Sequence, residues 1–252
     1  MVALTDRHIG TVGTSELHWA RVRADIPMLD LDQLVGRDTR LVVVAPHPDD
    51  ELLACGGLIA MHVARGGRTF VIGVTDGEAS HPGSATWTTS ALTQARGLER
   101  QRGLTLLGVS EENIARLRFP DGQVSRYAGP LQESLGRLLT CEDVVVTTWS
   151  LDGHPDHDAV GRATQSVCAD VGAVCLQAPV WMWHWSHAGD PRVPWERLRG
   201  TRLGRAPLES KMCALSEHRT QLALRDAENG AVLDALILER AQRTAEYFFL
   251  AR

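Results

Sequence analysis

Short runs of β-branched and other apolar residues alternate along this chain with longer stretches in which apolar positions return every three or four residues. The short runs predict strands at 41–45, 69–75, 114–118, 143–148 and 174–178, because a strand covered on both faces reads as a continuous apolar run. The longer stretches predict helices at 51–65, 91–107, 127–139 and 158–171, with further ones near 208–215 and 231–243, since that spacing gathers one apolar stripe on a helical surface. Strand and helix in regular alternation predict an α/β fold, a mostly parallel sheet with helices on both faces. No repeat, low-complexity tract or Pro/Gly/Ser-rich linker divides the sequence. Residues 40–252 are therefore expected to form a single domain, with residues 1–39 as an N-terminal extension wrapped on it.

Composition narrows the function more than the fold. The 252 residues are 44% hydrophobic and 23% charged, an ordinary globular balance with apolar mass enough for a sizeable core. A net charge of −5 removes the global basic field that binding to nucleic acid or anionic lipid calls for. The start of the chain carries Asp6, Arg7 and His8 with no apolar run behind them, so no secretory signal is read and a cytoplasmic protein is expected. The most apolar stretch, 52–64, is short, contains His62 and lies between Glu51 and Arg65, which argues against a membrane span. Cys55, Cys141, Cys168, Cys175 and Cys213 form no C-x-x-C pair, and buried reduced thiols are expected.

The candidate chemistry lies in two loops. A doubly wound sheet usually begins with strand order 3-2-1-4, which makes strands 1 and 4 neighbours at the crevice where ligands bind. The loop after strand 1 holds Pro46, His47, Pro48, Asp49, Asp50 and Glu51, and the loop after strand 4 holds the run from Asp152 to Asp158. The two richest His and Asp clusters are thus expected to converge. A catalytic zinc takes three protein ligands and leaves a fourth position for water. His47, Asp50 and one of His154 and His157 fit that count, and the remaining histidine is free to meet an oxyanion or a leaving amine. Adjacent Asp49 stays off the metal and can take the proton of the attacking water. Asp156 can orient a histidine. Against this stands a plainer reading, in which an Asp-Asp pair before a helix is an N-cap with first-turn charge. The glycine fingerprint of a dinucleotide binder is absent, since Ala45-Pro46-His47-Pro48 stands in its place.

At these residues the chain resembles the PIG-L or LmbE-like family of zinc-dependent N-acetylglucosamine deacetylases. The family's A/P-H-P-D-D-E motif matches Pro46–Glu51, its H-P-D-H motif matches His154–His157, and weaker features follow in order from Thr75 to Gln221. The resemblance implies a Rossmann-like fold with His47, Asp50 and His157 as metal ligands and Asp49 as general base. It further implies His154 as oxyanion donor or acid supported by Asp156, and Arg96 and Asp121 as contacts to substrate hydroxyls. The expected cofactor is Zn2+, with Fe2+ or Co2+ as alternatives, and the expected partner is a small N-acylated amino sugar or glycoconjugate. The oligomeric state, homo-oligomer included, stays open. Outside the motifs, alternation across Val180 to Trp185 would place Trp181, Trp183 and Trp185 on one face, either stacked on a sugar or sealing a sheet edge. The arginines at 192, 197, 199, 202 and 205 read as a solvated face. A two-His, one-carboxylate set also suits a non-haem iron oxygenase, but the spare Asp49 and second histidine favour hydrolysis. A non-catalytic sugar- or metal-binding module is disfavoured because each expected catalytic position is filled.

Overall fold

The computed structural model describes residues 7, 9, 13–225 and 230–250. Its sheet has seven strands in the order β3-β2-β1-β4-β5-β7-β6. They are β1 Arg40–Ala45, β2 Thr69–Gly73, β3 Ile114–Arg116, β4 Asp143–Thr148, β5 Val174–Ala178, β6 Leu198–Arg202 and β7 Ala245–Leu250. The first five pair in parallel, with Val42 opposite both Phe70 and Val145. β7 then runs antiparallel to β5, and β6 antiparallel to β7. This is a doubly wound α/β sheet with a mixed edge, and β1 and β4 are the neighbours at its switch point.

The helices are α1 Glu16–Ala24, α2 Leu31–Leu34, α3 Asp50–Ala64, α4 Thr89–Leu106, α5 Ala128–Gly136, α6 Pro155–Val171, α7 Met182–Trp185, α8 Arg205–Ser216, α9 Arg219–Leu222 and α10 Ala235–Ala241. Side chains alternate across a strand, so β1 feeds two cores. Leu41 and Val43 pack with Leu52, Leu58 and Ile59 of α3, Leu104 of α4 and Leu215 of α8. Val42 and Val44 pack with Leu131 and Leu135 of α5 and Val160, Ala163 and Val167 of α6. A third cluster joins Trp19 of α1 to Trp149, Trp183, Leu198 and Tyr247 beyond the parallel part of the sheet.

Two strands were not anticipated. The arginines of β6 read as a solvated face, yet Leu198, Gly200 and Thr201 are buried between them. β7 is not legible from the pattern because its apolar run follows directly on the helical spacing near 231–243. That strand also shapes the site. α3 is broken at Cys55 (φ −154°, ψ 27°), and the freed N–H groups of Gly57 and Leu58 donate to the Glu246 carboxylate at 2.8 Å each. Lys211 of α8 pairs with the same carboxylate at 2.8 Å.

Three further expectations change. α6 begins at Pro155 rather than at 158, because Pro155 takes the first helical position and His154 caps it. The tryptophan segment forms the short helix α7, so the strand alternation that would align Trp181, Trp183 and Trp185 does not exist. Cys55, Cys168 and Cys175 are buried, but Cys141 and Cys213 are exposed, and all five are free. Among the described residues no helix is long and apolar enough to cross a membrane.

Candidate metal centre and its cavity

The loops leaving β1 and β4 meet at the C-terminal edge of the parallel strands. Asp49 caps α3 with a φ of 125°, a backbone region that an L-residue rarely adopts. Strain of this kind persists where the surroundings over-determine the conformation, most often at functional sites. Here it turns Asp50 back under His47. Asp50 Oδ2 lies 3.0 Å from His47 Nδ1 and 3.1 Å from His157 Nε2, and it accepts the His47 backbone N–H at 3.0 Å.

The far nitrogen of each histidine is held by another carboxylate. His157 Nδ1 is 2.8 Å from Asp152 Oδ2, while His47 Nε2 faces Asp121 Oδ1 at 3.2 Å and Asp156 Oδ2 at 3.3 Å. Carboxylates so placed take the ring N–H, which turns the other nitrogen's lone pair inward. His47 Nδ1 and His157 Nε2 then both turn a lone pair toward Asp50 Oδ2. Their contacts of 3.0 and 3.1 Å lie near the ~3.3 Å edge of a tetrahedron with ~2.0 Å bonds to zinc. The donor set fits a divalent cation. The field agrees: burial opposes protonation of His157, but Asp50 and Asp152 raise its pKa to about 9. Burial likewise opposes ionisation of Asp50, yet His157 and His47 hold its carboxyl well below the usual carboxylate range.

His154 also presents a donor atom within 4.8 Å of those of His47 and His157, as do Asp121 and Asp156 around His47. The latter two are already occupied. Asp156 accepts from the N–H groups of Gly122 at 2.7 Å and Val124 at 3.1 Å, and Asp121 from that of Ala79 at 2.8 Å. They hold the His47 ring. The Asp156 carboxylate therefore supports His47, not His154, because the first turn of α6 points it across the site. His154 meets Asp156 only at the backbone, where Nδ1 accepts the Asp156 N–H at 3.2 Å. That bond leaves the ring hydrogen on Nε2. Burial first, then His157 and His47, lowers the His154 pKa to about 3, so the ring is a neutral donor.

Asp49 is the carboxylate of the cluster without a histidine on it. Arg96 of α4 reaches across to donate to Asp49 Oδ2 at 3.1 Å, to Pro48 O at 2.7 Å and to Gly77 O at 2.7 Å. Burial pushes the Asp49 carboxyl up to about 7, against the pull of Arg96 and with a further push from Asp50. Arg96 is thus engaged with the loops on two of its nitrogens, although it lines the same cavity. That cavity, about 300 Å³, is lined by His47, Asp49, Asp50, Arg96, Asp121, His154, His157, Trp181 and Trp183, among others. Trp183 is only 4% exposed and packs edge-on to Trp19 and Tyr247, so it belongs chiefly to the core. Trp181 is less buried. Sequence reasoning missed Asp152, Glu246 and Lys211 as parts of the site's frame. The motif-flanking position of Asp152 was the only local signal for it.

The model of the PIG-L family, described as GlcNAc-PI de-N-acetylase, matches residues 42–168. A 1D-myo-inositol 2-acetamido-2-deoxy-alpha-D-glucopyranoside deacetylase from Mycolicibacterium vanbaalenii is 32% identical over 168 residues, which span 57% of this chain and 58% of that relative's length. The protein of the same name from Mycobacterium sp. (strain KMS) is 26% identical over 242 residues, 76% of each chain. Among solved structures, the N,N'-diacetylchitobiose deacetylase from Pyrococcus horikoshii superposes with a TM-score of 0.66 at 17% identity, covering 94% of this chain and 90% of its own. A deacetylase of the A40926 pseudoaglycone gives a TM-score of 0.63 at 21% identity, covering 85% and 98%. These two likenesses concern the fold.

Proposed function

The chain belongs to the PIG-L, GlcNAc-PI de-N-acetylase family, and from that premise we propose that it is a metal-dependent hydrolase that removes the N-acetyl group of an amino sugar or amino-sugar conjugate. The observation that carries this reading is the convergence of His47 Nδ1, Asp50 Oδ2 and His157 Nε2 within 3.0 and 3.1 Å contacts, beside an Asp49 that holds no histidine. The mycobacterial relatives, named as deacetylases of an acetamido-glucopyranoside, support the substrate class.

His47, Asp50 and His157 would hold the ion, for which we propose zinc. A bound ion of that kind supplies Lewis acidity, acidifying water and polarising the amide carbonyl. Asp49 takes a proton from the attacking water and returns it to the departing nitrogen. Burial raises its carboxyl above the usual carboxylate range, which suits a group that both takes up and returns a proton. His154 offers its Nε2–H to the carbonyl oxygen as that oxygen becomes negative. Asp121, Asp156 and Asp152 hold the histidine rings in the required tautomers. Acetate and a free amine are the products.

The test is acetate release from N-acetylglucosamine and from its inositol glycoside. Release should stop with a chelator and return with zinc. Asp49→Asn should keep its metal by elemental analysis and lose about 10²–10⁴ of the turnover, whereas Ala at His47, Asp50 or His157 should lower metal content. Chelator-insensitive release, or near-native turnover in Asp49→Asn, would overturn the reading.

A further inference from the structure

We propose that Arg240 and Arg243 form an anion subsite in the wall of the cavity, so that the physiological substrate carries a carboxylate or phosphate; this rests on reading the site as an N-deacetylase. Both arginines line the cavity that holds His47 and His157, and each is only 8% exposed. The cavity wall also carries apolar side chains, Val180, Trp181, Leu233 and Ile237 among them, and the polar Gln221 and Lys211. At about 300 Å³ the space is that of a small-molecule pocket, far more than an acetyl group fills.

The charge balance around these two arginines is uneven. Glu16 of α1 is shared by Arg243, through Nε at 2.9 Å and through Nη2, by Arg23 at 3.1 Å and by Arg240 at 3.7 Å. Three guanidinium groups thus face one carboxylate. Of the acids near Arg240, Asp234 caps α10 and Glu246 is taken by Lys211, Gly57 and Leu58, while Glu239 is exposed. Arg240 donates to Thr14 O at 3.0 Å and meets His184 Nδ1 at 3.4 Å, while its buried Nε faces Glu16 Oε1 at 3.7 Å, beyond hydrogen-bond reach. Arginine is almost never buried unless paired, and surplus buried cations are costly unless a further anion joins them. Burial, followed by the neighbouring Arg243, depresses the Arg240 pKa to about 10, the response of a crowded cation. Glu16, Arg240 and Arg243 all lie outside residues 42–168, the segment matched by the family model.

The experiment compares kcat/KM for three substrates: N-acetylglucosamine, N-acetylglucosamine 6-phosphate with the acid on the amine side, and N-succinylglucosamine with the acid on the acyl side. One acidic substrate should exceed the neutral one by tenfold or more, as expected for roughly 1.5–3 kcal/mol from a charged hydrogen bond. Which one wins identifies the side of the substrate that meets the arginines. Arg240→Gln and Arg243→Gln should bring that ratio toward one, and Arg240→Lys should retain part of it, with thermal melting confirming that each variant folds. Equal use of all three substrates, or a preference that survives Arg240→Gln, would overturn the subsite. Wild-type protein that hydrolyses none of them would refute the deacetylase reading instead. Calorimetry with inorganic phosphate then tests the subsite alone: affinity should fall at least fivefold in Arg240→Gln, and an unchanged affinity rejects it.

Discussion

Asp152 decides which way His157 faces. It is wholly buried, and besides its 2.8 Å contact to His157 Nδ1 it accepts the N–H groups of Val180 at 3.0 Å, Trp181 at 2.9 Å and Met182 at 2.9 Å. The N-terminus of α7 thus stabilises an anion whose other role is to hold an imidazole tautomer. Asp152→Asn keeps the shape but removes the charge, so metal affinity should fall by about 10–100-fold. Competition against a calibrated chelator measures this, and an unchanged affinity would show that the ring is oriented without Asp152. The residue was visible in the sequence only as an acid before the His154–His157 motif. Nothing local distinguished it from Asp158, whose Oδ1 instead accepts the Gly153 N–H at 3.0 Å.

Among the elements, α3 is the one whose integrity depends on a distant strand. Its break at Cys55 leaves the second half of the helix without a cap from its own segment, and Glu246 of β7 supplies it. Glu246→Ala would orphan two N–H groups and leave Lys211, itself 2% exposed, as an unpaired buried cation. The expected loss is about 3–5 kcal/mol of folding stability by denaturant titration. The double variant Glu246→Ala/Lys211→Met should recover part of it, because the uncompensated charge is then gone. Recovery of nothing would place the loss on the helix cap alone. The sequence pattern of 51–65 reads as one helix because its apolar spacing continues across Cys55. The break comes from a carboxylate far along the chain, which no window of local periodicity includes.

For the whole molecule, His218 makes folding acid-sensitive. It is fully buried beside α4, with neither ring nitrogen hydrogen-bonded among the described residues, and burial first, then Arg96 and Arg100, lowers its pKa to about 3. The folded chain keeps this ring neutral while an unfolded chain protonates it below an ordinary value near 6.5. Stability from this residue is therefore complete above pH ~6.5 and is lost progressively as pH falls toward ~3, with a limiting slope of about 1.4 kcal/mol per pH unit. Between pH 7 and pH 5 the wild type should lose roughly 2 kcal/mol more than His218→Gln in parallel denaturant titrations. Equal losses would mean that His218 takes up its proton in the folded state.

The α/β alternation, the five parallel strands and the placing of the two acidic loops at one switch point were all determined by the sequence. Continuous apolar runs and three-to-four-residue spacing are local signals, and strand order in a doubly wound sheet follows from few physical rules. The motif residues also announced a metal-type donor set. Only the tertiary structure decided the partners of those residues: Asp156 on His47 rather than His154, Arg96 on Asp49, Asp152 on His157, and Glu16 amid three arginines. It also decided the antiparallel edge of β6 and β7, where buried positions lie between arginines that read as solvent-facing. Each of these depends on contacts between segments far apart along the chain. Their energies come from burial and charge pairing in three dimensions, which the order of residues along one segment does not encode.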